Sequence, residues 1–438
     1  MNIPAVVRAL SGALVLGMGG CSSLAAGSSA GDLGLVQDAM RQVESSYVVP
    51  VGPDKLVNGA LKGMLSKLDP HSDYMTETEY RELMATTSGQ FGGIGIEVSV
   101  EEGVPQVVSA IEGTPAGAAG IEPGDRIVKA DGVAIVGMDI GEVVRRLRGP
   151  PGSRVVLTIA RTNRAPFDVP LTRAIIRVQS VKSMLKPGRI GYVRISTFDE
   201  TTPTELRRAI ARMRQQAGGA FAGFVLDLRN DAGGLLDAAV DVASEFLDSG
   251  TVVTTRGRDS SENRIYDAPP NGDLIRGTPM VVLVNGASAS AAEIVAGALQ
   301  DDRRATVLGT HSFGKGSVQS IIPLDGRGAL RLTTALYYTP SGQSIQGHGI
   351  TPDQIVAVPK EQQVANAVVT YESDLFGSLK ATGTLAPRSR APARSSTGGG
   401  TVTGAADHPI NPKVIGTAQD AQLNAAIAWL GSHPVAAR

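Results

Sequence analysis

The chain has 438 residues, of which 42% are hydrophobic, and a chain of this length is expected to fold as about two or three domains. Its 41 basic and 42 acidic residues nearly cancel, which gives no support for nucleic acid or an anionic surface as the main partner. Cys21 is the only cysteine, so an intramolecular disulfide, a cysteine-based metal site and a downstream cysteine nucleophile are excluded.

Residues 1–30 have the pattern of an export signal. Arg8 precedes a short apolar stretch, residues 9–18, that is too short to span a bilayer as a stable helix. Small residues then lead to Cys21, as in a bacterial lipoprotein processing site, although Met18 is an unusual first residue for one. The pattern favours lipidation of Cys21 and a location in the periplasm or cell envelope. Ordinary cleavage near residues 25–26 is the alternative.

Residues 31–85 are predicted to be a helical segment, with amphipathic helices around a break at residues 50–53. A loop follows at residues 69–74. His71 in this loop could be catalytic, but a loop histidine is more often only a hydrogen-bonding residue.

Residues 86–180 combine short strand and turn signals with one helical stripe. The segment Gly93, Ile94, Gly95 and Ile96 is rich in glycine and would expose consecutive backbone N–H groups, which suits a terminal carboxylate. The strand that follows could bind an extended peptide by β-addition. Downstream lie a hairpin turn and a helical stripe that would line the groove, at Asp131-Gly132 and at Ile140, Val143, Val144 and Leu147.

The order of these motifs resembles a PDZ domain. The resemblance implies that residues 86–180 bind the C-terminus of another protein. A small β-rich domain with a purely structural glycine turn is the alternative.

Residues 181–358 contain two units in which a buried strand leads through a loop of small residues into a helix. The first strand, 224–228, opens into the loop 229–234, and the second, 280–284, opens into the turn that contains Ser290. In open α/β sheets the loops at the carboxyl ends of such strands converge on one crevice. The first loop could therefore present a backbone N–H toward Ser290. Phosphate binding is the alternative, but the later Gly-Lys-Gly-Ser sequence lacks the spacing of a P-loop.

Ser290 falls where the second helix is predicted to begin. Free N–H groups and the helix dipole favour developing negative charge there, so a serine can be a helix cap or a nucleophile. Lys315 lies between two glycines, 25 residues further on, and Gln319 follows four residues later. In an extended segment, Lys315 and Gln319 would share one face.

Two segments resemble the active-site signature of the carboxyl-terminal processing proteases, also called tail-specific proteases. They are Asn-Gly-Ala-Ser-Ala-Ser-Ala-Ala-Glu-Ile at 285–294 and Phe-Gly-Lys-Gly-Ser-Val-Gln at 313–319. The resemblance implies a serine endopeptidase in which Ser290 is the nucleophile, Lys315 the general base and Gln319 the residue that orients the base. Ala292 stands where the family usually has a third serine.

An oxyanion hole is expected from the Ala291 N–H and from Gly233 or Gly234, with Gly234 preferred. The family also uses this glycine loop. No metal or other cofactor is expected. Lys315 can accept a proton only when it is neutral, so burial must lower its pKa from about 10.4. We expect apolar neighbours, distant carboxylates and no salt bridge at its amine.

The resemblance further implies an α+β, multidomain architecture: an N-terminal helical segment, a PDZ domain and a crotonase-like or ClpP-like protease core. The implied partners are proteins or peptides with apolar C-termini, an adaptor protein and further copies of the chain. An empty PDZ domain could hold the Ser–Lys pair in an inactive state.

Three alternatives stay open. His311 could replace Lys315 as the base, the chain could be an inactive PDZ scaffold, or it could be an acyl hydrolase of crotonase type. No H-E-x-x-H sequence is present, which disfavours metalloproteases. The G-x-S-x-G match at residues 27–31 lies at the end of the predicted export signal and follows no predicted strand, so it is not a nucleophile elbow and α/β-hydrolases are disfavoured. His348, in a loop near the end of the core, is a weaker candidate for substrate contact.

The remaining chain is predicted as a C-terminal extension at 359–380, a flexible linker at 381–406 and a C-terminal region at 407–438. The linker is rich in Ser, Thr, Gly, Pro and Arg. A helix at 419–430 has one apolar face, which could dock on its own chain or on another subunit.

Overall fold

The computed structural model describes residues 29–380, apart from residues 102, 112, 178 and 365–368, together with residues 409–433. Cys21, most of the export signal and the predicted linker lie outside the described residues. The described residues divide into two compact units, one up to residue 60 and one from residue 61 onward. Within the described ranges, no helix is both long and apolar enough to cross a membrane.

The described helices are α1 (Ser29–Ser46), α2 (Pro53–Leu65), α3 (Glu77–Thr87), α4 (Pro115–Ala118), α5 (Ile140–Leu147), α6 (Thr202–Gln216), α7 (Leu236–Ser244), α8 (Ala291–Asp301) and α9 (Ala421–Ser432). The strands are β1 (Asp73–Met75), β2 (Gln90–Gly93), β3 (Ile96–Glu101), β4 (Val104–Ala110), β5 (Arg126–Ala130), β6 (Val133–Ala134), β7 (Arg154–Ala160), β8 (Phe167–Thr172), β9 (Ala174–Arg177), β10 (Val181–Lys186), β11 (Ile190–Ile195), β12 (Gly223–Asp227), β13 (Gly250–Gly257), β14 (Arg264–Ala268), β15 (Met280–Val284), β16 (Thr306–Gly309), β17 (Ser317–Pro323), β18 (Ala329–Tyr338) and β19 (Gln354–Ile355).

The first unit contains α1 and the start of α2. The predicted break between these helices is confirmed, and Pro53 begins α2, where its missing N–H costs no helical hydrogen bond.

The central sheet has the strand order β10-β11-β12-β15-β16-β19, in which every neighbouring pair except β10–β11 is parallel. All five residues of β15 are buried, because helices cover both faces of the sheet. Alternate residues face α6, α7 and α8 on one side, including Phe224, Val282 and Val284. The residues between them face the other side of the sheet.

The C-terminal helix α9 packs on that other side. Leu423, Ala426 and Leu430 lie in one apolar cluster with Val225 and Leu283, so α9 docks on its own chain. Asp420 caps the helix by accepting a hydrogen bond from the Leu423 backbone N–H.

A buried ion pair fixes the start of α9. The guanidinium of Arg229, just after β12, binds the carboxylates of Asp227 and Asp420, and all three side chains are buried. Arg229 also donates to the side-chain oxygen of Gln422. Arg229 is held by Asp227 on one side and by Asp420, at the start of α9, on the other. This one guanidinium therefore joins the carboxyl end of β12 to the C-terminal helix.

A second sheet has the order β1-β18-β13-β14, with β17 also paired to β18. Strand β1 was not predicted: residues 69–74 were expected to be a loop between helices, but Asp73–Met75 pairs with residues 329–331 of β18. A three-residue strand is too short to give a periodic signal in the sequence. It forms because pairing with β18 buries Tyr74 and Met75. The rest of this segment, α3, is helical and begins with a capping box at Thr76 and Glu79.

The third sheet has the order β3-β4-β5-β7-β8, with β6 paired to β5. Strand β3 lies at its edge, and α5 forms at the predicted position and buries Val143 in the core of this domain. Asp131 and Gly132 have φ values of 50° and 76°, which confirms the predicted hairpin turn. The segment predicted as one loop and strand contains two strands, because β2 pairs separately with β9.

Candidate active site

Ser290 lies in the turn between β15 and α8 and is 6% exposed. Its φ of 54° is unusual for a residue with a side chain, and such backbone strain of about 1–3 kcal/mol is often found at active sites. Two backbone hydrogen bonds hold the turn: Ala289 donates to the Asp231 carbonyl at 2.9 Å, and Ile294 donates to the Ser290 carbonyl at 2.9 Å. The first of these joins the two predicted loops directly.

Glu293, in the first turn of α8, connects the serine turn to the lysine loop. One carboxylate oxygen accepts from the backbone N–H groups of Ser290 (2.8 Å) and Lys315 (2.9 Å). The other accepts from the Ser312 hydroxyl (2.5 Å) and the Gly314 N–H (2.7 Å). Burial raises the pKa of Glu293 to about 7, although these hydrogen bonds act to lower it. Sequence analysis missed this residue, although its position three residues after Ser290 is the spacing of a capping box.

Lys315 lies in the loop between β16 and β17. Burial is the main cause that lowers the pKa of its amine, and the Arg331 guanidinium acts in the same direction. The carboxylates of Glu372, Glu293 and Asp69 oppose the shift. In the described part of the chain no carboxylate forms a salt bridge with this amine, but the expectation that carboxylates would be distant is wrong.

Gln319 lies in β17, which begins only at Ser317, and the β17–β18 register shifts between Val318 and Gln319. The prediction that Lys315 and Gln319 share one face assumed a regular extended segment from 315 to 319. The late start of β17 and the shift of register interrupt that regularity. The Gln319 amide donates to the hydroxyls of Ser317 (2.9 Å) and Thr333 (3.3 Å). Thr333 donates in turn to the Asp69 carboxylate at 3.0 Å, which links β17 to the loop at 69–74.

The two loop glycines have different neighbours. A Cβ on Gly233 would lie 2.9 Å from both the Ala291 nitrogen and the Ser290 Cβ, so only glycine allows this loop to approach the serine so closely. The Gly233 N–H donates to the Asp231 carboxylate at 2.8 Å. Gly234 packs against Phe198, where a Cβ would lie 2.0 Å from the carbonyl oxygen.

Asp231 has a buried carboxyl group between these loops. One oxygen accepts from Gly233, and the other has no hydrogen-bond partner among the described residues. Burial raises the pKa of Asp231 to about 8, and the charge of Asp227 adds to the shift. This carboxyl is therefore largely protonated at neutral pH.

Tyr337 in β18 is a further neighbour of Ser290 that sequence analysis missed. Its ring is buried, its side chain is hydrogen-bonded with that of Ser290, and its backbone N–H donates to the Gly316 carbonyl at 2.7 Å. Burial raises the pKa of Tyr337, so the phenol is neutral under ordinary conditions.

A cavity of about 440 Å³ opens beside Lys315. Its wall is largely apolar and comes from both loops, the C-terminal extension and the C-terminal region after residue 407, including Ala232, Ala289, Phe313, Lys315, Thr370 and Pro409. A space of this size can hold a few amino-acid side chains.

The three candidate histidines lie at different places. The His71 ring binds the buried carboxylate of Glu372 at 2.8 Å. His311 lies 3.4 Å from the Thr351 hydroxyl and beside the Tyr371 ring, and His348 contacts the Gln346 carbonyl at 2.9 Å. Glu372 also accepts from the Gln346 amide at 2.8 Å.

The residues proposed for C-terminus binding lie between β2 and β3. Gly93 belongs to β2, Ile94 and Gly95 form the turn, and Ile96 begins β3. Gly95 has a φ of 79°, and a Cβ there would lie 2.3 Å from the Thr114 side chain, so a glycine is required. The turn leads directly into the edge strand.

Comparison with known proteins gives the class. The profile of peptidase family S41 matches residues 189–356, that of the PDZ domain matches 106–161, and that of the activating protease CtpB N-terminal domain matches 22–79. The second match lies in the sheet that contains the edge strand β3.

Individual relatives narrow the assignment. A carboxy-terminal-processing protease of Bartonella bacilliformis is 49% identical over 346 residues, 78% of this chain and 79% of that protein. Carboxy-terminal processing protease CtpA of Bacillus subtilis is 35% identical over 338 residues, 76% of this chain and 72% of its own length. A solved photosystem II D1 C-terminal processing protease is 31% identical with a TM-score of 0.45, over 74% of this chain and 92% of that one. This chain belongs to the carboxy-terminal processing proteases, which are serine proteases of family S41.

Proposed function

We propose that the chain is a serine endopeptidase of the bacterial cell envelope that binds substrate C-termini through its PDZ domain and uses Ser290 and Lys315 for catalysis. The observation on which this depends most is the Glu293 carboxylate, which accepts hydrogen bonds from the backbones of both residues. These residues are 25 positions apart in the chain, and one buried group fixes both.

In the proposed reaction Ser290 attacks the peptide carbonyl while the neutral Lys315 amine accepts its proton. Lys315 then gives the proton to the leaving amine, and water hydrolyses the acyl-enzyme. The lowered pKa of Lys315 supports this role, because it increases the neutral fraction of the amine. Gln319 would orient the base as part of the hydrogen-bonded set with Ser317 and Thr333.

The oxyanion would be bound by the N–H groups of Ala291 and Gly234. Ala291 is the first residue of α8, where the helix leaves N–H groups unpaired. Gly234 is the better glycine donor, because the Gly233 N–H already binds Asp231. Such donors are each worth about 2.7–4 kcal/mol in the transition state.

Substrate recognition would take place at the edge of the third sheet. The turn at Gly93, Ile94, Gly95 and Ile96 would bind the terminal carboxylate, and β3 would pair with the last residues of the substrate. Lipidation of Cys21 would keep the enzyme at the membrane surface. A protein adaptor and self-association are part of this proposal on the basis of family resemblance.

Cleavage of casein tests the proposal, using the protein without its export signal beside Ser290→Ala, Lys315→Ala and His311→Ala. We expect wild type and His311→Ala to cut, while the other two variants are folded but at least about 1000-fold slower. Cleavage by Lys315→Ala would make His311 the better base. A wild-type protein that stays inactive even with a C-terminal peptide present would favour a scaffold.

A further inference from the structure

Strand β18 places Tyr337 beside both members of the proposed catalytic pair. The β17–β18 pairing aligns Ser317 with Leu336, so the next residue of β18 lies opposite Gly316, which follows the base. The 2.7 Å hydrogen bond from the Tyr337 N–H to the Gly316 carbonyl fixes this position. From there the phenol reaches the Ser290 side chain and is hydrogen-bonded with it.

The ring has little freedom to leave this position. Tyr337 is 5% exposed and belongs to the same apolar cluster as Ala291 and Ile345, whose backbone N–H also bonds to the Tyr337 carbonyl. A phenol held at both its backbone and its ring is a well-oriented group, which is a requirement for a catalytic hydrogen bond.

The protonation states determine which way the hydrogen bond must run for catalysis. A neutral phenol has one proton to donate, a serine hydroxyl has one proton and two acceptor sites, and a neutral lysine amine has a lone pair. If the phenol donates to Ser290 Oγ, the serine proton is free to point toward the Lys315 amine. If the serine donated to the phenol, its proton would point away from the base.

We propose that Tyr337 is a further catalytic residue that donates a hydrogen bond to Ser290 Oγ and directs the serine proton toward Lys315. This inference rests on the Ser290–Lys315 mechanism proposed above. Tyr337 keeps its own proton throughout: the serine proton passes to Lys315 and then to the leaving amine. The phenol stabilises the negative charge that Oγ gains as its proton departs and before the new C–O bond is complete.

The test is Tyr337→Phe, which removes one hydroxyl from a buried ring. Tyr338→Phe is the matched control, since it removes a hydroxyl from the adjacent, equally buried residue of β18, whose ring lies 4.1 Å from the Arg256 guanidinium carbon. Two assays are used. One measures kcat and KM on a quenched fluorescent peptide, and the other measures the rate at which a fluorophosphonate labels Ser290. The label reports the reactivity of the nucleophile without a peptide substrate.

For Tyr337→Phe we expect both kcat and the labelling rate to fall about 10- to 100-fold, with KM changed less than about twofold. Tyr338→Phe should keep both kcat and the labelling rate within about threefold of wild type. Labelling of Tyr337→Phe at or above the wild-type rate would overturn the inference, because the phenol would then restrain the serine. If Tyr337→Phe does not fold, 3-fluorotyrosine at 337 keeps the hydroxyl and makes it a stronger hydrogen-bond donor, so the labelling rate at neutral pH should equal or exceed that of wild type; a fall in that rate counts against the inference.

The same data separate this inference from the proposed function. Wild type that is not labelled, or Ser290→Ala that is labelled equally, would contradict the Ser290 mechanism itself. Normal labelling of wild type with an unchanged Tyr337→Phe would contradict only the role of Tyr337.

Discussion

The charges around Lys315 oppose one another. Burial and Arg331 favour the neutral amine, whereas Glu372, Glu293 and Asp69 favour the ammonium form. Glu372 is itself fixed by hydrogen bonds from His71, Gln346 and Ser378, and these interactions hold its pKa below the ordinary value, so it keeps its charge at neutral pH. The pH at which the Lys315 amine becomes neutral therefore depends on residues from distant parts of the chain.

Replacing Glu372 should shift the acidic limb of the pH profile. Glu372→Gln removes a negative charge that raises the pKa of Lys315, so the neutral amine should persist to lower pH. We expect the acidic limb of kcat/KM to move down by about 0.5–1 pH unit. Glu361→Gln, which removes an exposed carboxylate from the same C-terminal extension, should leave the limb in place. An unchanged or upward-shifted limb for Glu372→Gln would contradict the expected effect of this charge on the pKa of Lys315.

Asp231 should make the folded state less stable as pH rises. Its pKa is about 8 in the folded chain and near 4 when unfolded, so the folded state binds the extra proton. Stability is then lost progressively as pH rises from about 4 to 8. Asp231→Asn is neutral throughout and can still accept from Gly233.

Urea unfolding at pH 6 and pH 9 measures this effect. We expect Asp231→Asn to gain about 2 kcal/mol relative to wild type between these pH values. Asp325→Asn, at an exposed turn, should show no such change. Equal pH dependence of wild type and Asp231→Asn would mean that the carboxyl is ionised in the folded protein.

At the scale of elements, the contact between Arg229 and α9 determines how the C-terminus is held. Arg229→Met would leave the Asp227 and Asp420 carboxylates buried without their partner, a change that typically costs about 3–5 kcal/mol. We expect this loss in urea unfolding, together with faster hydrogen exchange of the α9 amides. Arg207→Met, which breaks a partly exposed pair with Glu245, should cost less than about 1 kcal/mol. Similar costs for the two variants would contradict a role for the buried pair.

The regular elements of the core were predictable because their signals are local. The mainly apolar runs 224–228 and 280–284 identify β12 and β15, and the helical spacing after Ser290 identifies α8. Gly233 lies against Ser290 because parallel strands of one sheet end at the same edge. These features follow from short stretches of sequence.

The contacts that sequence analysis missed are long-range. Tyr337 reaches Ser290 only after β18 has paired with β17, and Asp69 reaches Thr333 from a loop 264 residues earlier. The shift of register before Gln319 also has no local signal, since it depends on how β17 fits its partner strand. Spacing alone could therefore suggest the catalytic residues but not the groups that hold them.

At the scale of the whole molecule, a continuous series of contacts runs from the PDZ domain to the loop at 229–234, which is proposed to bind the oxyanion. The Arg148 guanidinium carbon lies 4.2 Å from the centre of the Phe91 ring in β2. Residues just before β2 contact the loop at 199–200, where the Glu200 backbone N–H donates to the Thr87 carbonyl at 3.1 Å. Phe198, which comes directly before the loop at 199–200, forms a β-bridge with Gly234. Spatial continuity alone does not establish coupling, which must be measured.

If this series of contacts couples the sites, a bound C-terminal peptide should activate the enzyme toward an unrelated substrate. A peptide paired with β3, its carboxylate in the Gly95 turn, would favour one arrangement of β2 and so of the loop next to Gly234. We expect a short peptide with an apolar C-terminus to raise kcat on casein several-fold at saturation. The same peptide with a C-terminal amide lacks the carboxylate and should give no rise at equal concentration.

Saturable binding of the free-acid peptide by calorimetry without any change in turnover would show that the PDZ domain only captures substrate. Activation would instead mean that occupancy of the PDZ domain and the geometry of the oxyanion hole are thermodynamically linked, so that a protein substrate promotes its own cleavage by binding through its C-terminus.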